Sequence, residues 1–346
     1  MLVEIAPAPL ASEPLASHRI TTMPVLVLNV HSRCNCRCMM CDIWKRDSAE
    51  ELSIDTLARH RGALHALKVQ WAVLSGGEAL MHSNFPRLCK FLRDEGIRIT
   101  LLTAGLTLSK RAQDVAYNVD DVIVSLDGTR DIHDRVRGVK GAYDLLALGI
   151  VKLLSLRPEL HITARTTVQK PNHQALCETV EAAKDLDLSG ISFLAADLTS
   201  TAFNRERGWT AEQQDEVALT APEIDSLNSE MQDLITRYQR EMASGYIAES
   251  PAKLRRIVQH FRAHLGQVVS HAPVCNAPWV SAVIAHDGTV QPCFFHAPIG
   301  NVNQQSLEEI VNGTASLAFR SSLDVATNPI CQRCVCSLHL PTGDER

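Results

Sequence analysis

The chain has 346 residues, 45% of them apolar, enough to bury one large core or two smaller ones. Its 34 basic and 39 acidic residues leave a formal net charge of -5, which gives no electrostatic reason to expect nucleic acid as a partner. No stretch approaches the roughly 18 uninterrupted apolar residues of a membrane span, and the opening MLVEIAPAPLASEPLASHRITTM lacks the layout of a secretory signal, so the expected location is the cytoplasm. In chain order, residues 1–22 read as a loosely ordered arm. Strand-like VLVLNV (25–30) runs into a thiol-rich loop, followed by a helix near 54–68, WAVLS (71–75), a helix near 84–95 and RITLLT (98–103). Next come a helix near 109–117, VIVSL (122–126), a helix near 143–155, ITARTTV (162–168), a helix near 172–187 and ISFLAA (191–196). The alternation predicts parallel strands with helical crossovers, and six steps rather than eight predict an α/β fold, a partial (β/α)6 TIM-like barrel over 23–198. Residues 199–270 read as a helical insertion or bridge, with helices near 222–244 and 251–265. Residues 271–346 read as a small α+β unit rich in thiols.

The eleven cysteines do not fit a small secreted domain held by disulfides. Cys34, Cys36, Cys38 and Cys41 form one group and Cys275, Cys293, Cys331 and Cys334 another, with Cys336 close by, which suggests two metal centres. Cys89 and Cys177 lie in helix-like FPRLCKFLRDEG and HQALCETVEAAK and read as small buried side chains. Cys34, Cys38 and Cys41 have the spacing C-x3-C-x2-C, three thiolates from one loop at a strand's C-terminal end, where barrel active sites form. A four-iron cluster held by three thiolates keeps one iron open to chelate a small molecule. A structural zinc site is the rival, with Cys36 as a fourth ligand, although zinc loops usually combine two C-x2-C pairs. Ser75-Gly76-Gly77-Glu78 follows the second strand. Its glycines let backbone approach a ligand and its carboxylate can accept from an ammonium group; a tight turn with an exposed Glu is the plainer alternative.

With these motifs in this order, the stretch from about Val25 to Cys334 resembles the radical S-adenosylmethionine (SAM) superfamily. The resemblance implies that Cys34, Cys38 and Cys41 hold a 4Fe-4S cluster whose open iron binds the amino and carboxylate groups of SAM. An electron, supplied by an external reductant such as flavodoxin or ferredoxin, then cleaves SAM to methionine and a 5'-deoxyadenosyl radical that abstracts a substrate hydrogen. Cys36 becomes a bystander in the variable positions, and Gly76, Gly77 and Glu78 become the SAM amino-binding motif. VSLDGTRDIHDRVRG (124–138) looks like the fourth-strand signature, with Ser125 contacting SAM and Arg137 pairing with its carboxylate. A surface salt bridge competes for Arg137, and Asp127 reads as a turn or helix cap. Met40 stands where an aromatic residue is common, and Ala79 where Pro is.

The tail resembles the SPASM extension, which carries auxiliary clusters: Cys275 is followed by twelve residues, Gly288, four residues and Cys293. Beyond Cys331-x2-Cys334 the next expected cysteine positions hold Leu340 and Asp344. The shortened form, a twitch domain, is therefore expected, with Cys275, Cys293, Cys331 and Cys334 closing a second, auxiliary 4Fe-4S cluster and with Cys336 and His296 as spares. Zinc is again the alternative. A fully ligated cluster has no iron for substrate, so electron acceptance and an oxidoreductase-like outcome are expected. With only 24 residues before the first strand, a small biosynthetic intermediate is expected over a peptide. Peptide maturation and redox-neutral epimerisation, decarboxylation or carbon-carbon bond formation remain alternatives, and a zinc-binding structural protein is a remote one. Arg165 and Asp197, at the ends of strands five and six, are substrate-facing candidates; no catalytic base is predicted.

Overall fold

The six expected strands form as β1 (Val25–His31), β2 (Trp71–Gly76), β3 (Arg98–Thr103), β4 (Asp121–Ser125), β5 (His161–Val168) and β6 (Gly190–Ala195) in a computed structural model that describes residues 18–341. Each pairs in parallel with the next, for example Val27 with Val73 and Val124 with Ala164. β2 and β4 are largely buried apolar runs, whereas β5 alternates buried and half-buried positions. Helices cross over between them: in Phe85–Asp94, Phe85, Leu88, Cys89 and Leu92 recur at helical spacing and face the sheet. Cys89 and Cys177 are buried in helices as expected, and burial pushes both thiols up to about 12.

Three further strands, β7 (Ser281–Ile284), β8 (Thr289–Gln291) and β9 (Gly300–Asn301), extend the same sheet, giving the order β6-β5-β4-β3-β2-β1-β7-β8-β9. β7 lies parallel to β1, with Val25 opposite Ser281. The thiol-rich unit thus completes the edge of β1 rather than hanging on a linker, and an otherwise unpaired edge is covered. The sheet does not close, so the barrel is partial. Leu26, Leu28 and Val30 join the main core, whereas Val25, Trp71 and Val73 form a second cluster against which Val27, Leu102 and the tail's Leu338 and Leu340 pack. The tail therefore caps apolar surface at the start of β1 and β2.

Some boundaries differ from expectation. Residues 54–68 form two helices, Ile54–Arg59 and Arg61–Ala66, divided at His60, whose Nε2 lies 2.7 Å from the Val302 carbonyl. Helix Ala221–Arg237 ends at Tyr238, where the hydroxyl bonds the Glu181 carboxylate at 2.6 Å. A helix over Arg130–Arg137 is present that the periodicity does not mark. The expected arm lies outside the described residues up to 17. Beyond that it is held: Ile20 is buried and exchanges two 2.8 Å bonds with the Asn312 amide, and Arg320 Nε donates to the His18 carbonyl.

His133, fully buried on helix Arg130–Arg137, illustrates what this packing does to a titratable group. Burial pulls its imidazole down to about 4, with Arg137 acting in the same direction and Asp127 and Asp134 opposing. The native ring therefore stays neutral where an unfolded one, titrating near 6.5, takes up a proton. Its contribution is fully present above about pH 6.5 and is lost as pH falls toward 4, amounting to roughly 3 kcal/mol. His133→Asn keeps an acceptor for the Asp127 amide that now meets Nδ1. Urea midpoints of cluster-free protein at pH 7 and pH 5 should show a smaller acid loss in this variant than in the wild type.

Candidate active site

The cysteine loop leaves β1 at the C-terminal end of the parallel strands and is anchored on both sides. Its Arg37 and Met39 amides donate to the carbonyls of Arg137 and Val136, at the end of helix Arg130–Arg137. Gly138 has φ +63, and a Cβ there would meet the Arg37 carbonyl at 2.4 Å, so this close approach needs glycine. On the other side the Asp42 amide donates to the Phe203 carbonyl.

Cys36 lies buried in the same loop. It is 1% exposed, its amide points at Cys34 Sγ, and its thiol is pushed up by hydrogen bonding with Cys34 and Cys38. The same bond from Cys36, helped by the Arg137 guanidinium, pulls Cys38 down to about 7 against its burial. Cys41 is instead pushed up to about 12 by burial.

The expected SAM-binding residues lie at the same end of the sheet, and the side chains of two, Glu78 and Arg137, already have partners within the protein. Gly76 and Gly77 approach the cysteine loop rather than open space: a Cβ on Gly77 would fall 2.0 Å from the Arg33 carbonyl oxygen, and one on Gly76 2.7 Å from that of His31. Glu78 is 2% exposed, not on the surface of a turn. Its carboxylate accepts from the Leu80 amide (3.1 Å), the Thr103 hydroxyl (2.8 Å) and the Ala104 amide (2.9 Å), and burial pushes it up. Three of its roughly four acceptor positions are filled. Ser125 ends β4, opposite Arg165 of β5.

Arg137 and Asp127 form one buried ion pair. Asp127 is fully buried and accepts from Arg137 Nε at 2.6 Å and from the Thr167 amide at 3.2 Å; it is an ion-pair partner, not a simple turn residue. Arg137 is buried rather than a surface cation, and its Nη1 lies 3.7 Å from Cys38 Sγ. Asp197, expected to face substrate, is paired with the buried Arg205 at 2.7 Å. Arg205 bears no motif, and only the acid at 197 and the nearby Trp209 hint at its burial.

Cys275, Cys293, Cys331 and Cys334 line one cavity with Phe295, His296, Pro273 and Pro278. His296 Nε2 is 3.4 Å from Cys331 Sγ, so this spare is inside the cavity. Cys336 is not among the lining residues; it is exposed, and its carbonyl accepts from Cys334 Sγ. The Arg256 guanidinium donates to the Cys334 carbonyl at 2.8 Å, and Asn276 fixes the tail through the Leu338 and Leu340 backbone.

All these cysteines are free thiols. Among the described residues, no three His, Cys, Asp or Glu side chains converge to hold a single metal ion. All-thiol sets of three and four suit the thiolate ligation of an iron-sulfur cluster. Beside the cysteine loop, the buried Arg205 Nε–H has no acceptor among the described residues.

Residues 28–195 match the family model described as the radical SAM superfamily, and residues 275–335 the SPASM iron-sulfur cluster-binding domain. The chain carries a radical SAM domain and a SPASM domain. It is therefore an enzyme that uses SAM and iron-sulfur clusters. It is 27% identical over 308 residues to the PqqA peptide cyclase of Ruegeria pomeroyi, a match covering 84% of this chain and 74% of that one. It is 32% identical over 133 residues to the Fe-coproporphyrin III synthase of Methanosarcina barkeri, covering 37% of this chain and only 33% of the relative. SuiB of Streptococcus suis, solved with SAM, superposes with a TM-score of 0.65 at 14% identity, covering 95% of this chain and 76% of that chain, which shows the shared radical SAM fold.

Proposed function

We propose that this enzyme cleaves SAM reductively, abstracts hydrogen from a small biosynthetic intermediate and oxidises it with the help of one auxiliary cluster in a twitch-type SPASM domain. The observation that carries this is the pair of thiol sets: three on an anchored loop at the strand ends, and four around one cavity. Cys34, Cys38 and Cys41 would hold the first cluster; Cys275, Cys293, Cys331 and Cys334 would hold the second. When bound, the first cluster supplies the electron that breaks SAM into methionine and a 5'-deoxyadenosyl radical, and the second offers an acceptor for an electron from the substrate. Ser125 and the Gly76–Glu78 segment would position the methionine end of SAM, and the remaining donors of Arg137 would meet its carboxylate. A flavodoxin or ferredoxin would deliver the electron.

A peptide substrate is the second reading, favoured by the match to a peptide cyclase over most of the chain. Fractionated extract from cells grown in deuterated medium separates the two. Deuterium should enter 5'-deoxyadenosine with the low-mass fraction; transfer confined to the peptide fraction would move the assignment to peptide maturation. The cluster assignment is tested first, by iron and sulfide content after anaerobic reconstitution. About eight irons are expected, and about four after combined Cys34→Ala, Cys38→Ala and Cys41→Ala. Stoichiometric zinc without iron-sulfur absorption would sink the assignment, and about twelve irons would replace the twitch domain by a full extension.

A further inference from the structure

We propose that Arg205 is a positioning residue for the first cluster: it fixes the Met40–Asp42 turn and raises the reduction potential of the cluster bound through Cys41. The proposal rests on the radical SAM reading above. Arg205 is 3% exposed. Its Nη1 donates to the Asp197 carboxylate at 2.7 Å and to the Asp197 carbonyl at 2.9 Å, while Nη2 donates to the Met40 carbonyl, directly before Cys41. Its guanidinium carbon lies 3.5 Å from the centroid of the Trp209 ring, and the indole Nε1 donates to Asp42 Oδ2 at 2.8 Å. Asn204 Nδ2 donates to the Asp42 carbonyl, and the Asp42 amide donates to the Phe203 carbonyl. Residues 203–209 thus grip the cluster loop on both sides of Cys41.

Two features separate this strap from ordinary packing. Phe203 and Asn204 adopt φ +58 and +66, a left-handed conformation that is costly for a bulky aromatic residue and persists only when its surroundings impose it. The Phe203 ring stacks at 6.1 Å on Phe294 and meets Phe295 edge-on at 6.2 Å, next to Cys293 of the other thiol set. The strap therefore joins the loops that carry the two centres. Arg205 Nη2 meets the carbonyl of the residue directly before Cys41, and its buried Nε–H lacks an acceptor among the described residues. A buried cation beside a ligand sulfur favours the more negative, reduced state of a cluster, because little solvent screens it.

The test uses Arg205→Lys and a double variant, Arg205→Met with Asp197→Asn, which leaves no lone buried carboxylate. In cluster-free protein, hydrogen exchange at the Asp42 amide should quicken at least tenfold in the double variant, with the β3 amides unchanged. In reconstituted full-length protein, redox titration followed by electron paramagnetic resonance should show a lower midpoint for the first cluster. A tenfold shift in the oxidised-to-reduced ratio corresponds to about 59 mV for a one-electron couple. The auxiliary midpoint should stay in place, and Arg205→Lys should recover most of the shift. Unchanged exchange, or an unchanged first-cluster midpoint at full iron content, overturns the proposal, as does an equal shift of both clusters. A wild type that binds no iron would defeat the radical SAM reading and the potential-setting role together, while the exchange result would still decide the clamp.

Discussion

Gly77→Ala is expected to abolish the first cluster site. The new Cβ would lie 2.0 Å from the Arg33 carbonyl oxygen, 2.3 Å from its carbon and 2.9 Å from the Cys34 amide nitrogen. All three atoms are backbone, so no rotamer change relieves the overlap. β2 or the cysteine loop must move, and with it the 2.9 Å bonds from the Gly77 and Glu78 amides to the His31 and Arg33 carbonyls. Two lost backbone bonds and a displaced loop place the cost above about 4 kcal/mol, the range reserved for severe substitutions. Iron content after reconstitution should fall from about eight to about four, or the protein should fail to fold. Gly62→Ala is the control, since a Cβ at that position would meet nothing within 4 Å and its helix should gain up to about 1 kcal/mol. Wild-type iron content and melting temperature in Gly77→Ala would show that this glycine is free to face a ligand after all.

The same contact shows what the sequence can and cannot convey. The six parallel strands are legible because their apolar runs alternate with helical spacing, as in RITLLT followed by a helix and VIVSL, and local pattern is enough for that. SGGE is legible as a place of close approach, but not what approaches: the neighbour is the backbone of Arg33, far earlier in the chain. The pairing of β7 with β1 is hidden for the same reason, since SAVI is a short strand with no partner written beside it. Arg205 and Arg207 stand two apart in FNRERGW with the same charge, yet one is buried and the other exposed. Only the tertiary placement of Asp197 and Trp209 distinguishes them. Asp127 is a different case: SLDG has turn chemistry, but the carboxylate points inward to a cation ten residues on. The spacing assigns Cys34, Cys38 and Cys41 and leaves Cys36 aside, but it does not show that the Cys36 thiol is buried among theirs.

Removing one member of the Asp127–Arg137 pair should cost far more than removing both. Each group is almost wholly inaccessible, and the two meet at 2.6 Å with little solvent around them. Arg137→Met would strand a buried carboxylate, with only the Thr167 amide among its described donors to Oδ1, and single loss of a buried ion-pair partner costs about 3–5 kcal/mol. Asp127→Asn would strand the cation beside Cys38 instead. The double variant Asp127→Asn with Arg137→Met removes both charges and should recover most of that stability, as read from urea midpoints of cluster-free protein. SAM affinity should divide the variants differently. Arg137 Nε is committed to Asp127 and Nη1 to Cys38, which leaves donors on the same fork for a carboxylate. If those donors meet SAM, Asp127→Asn should retain SAM in equilibrium dialysis of the reconstituted enzyme, while the stable double variant should lose at least tenfold in affinity, about 1.4 kcal/mol. A double variant that folds normally and binds SAM like the wild type would make Arg137 a purely structural cation, fastening Cys38 and the end of its helix to the turn after β4.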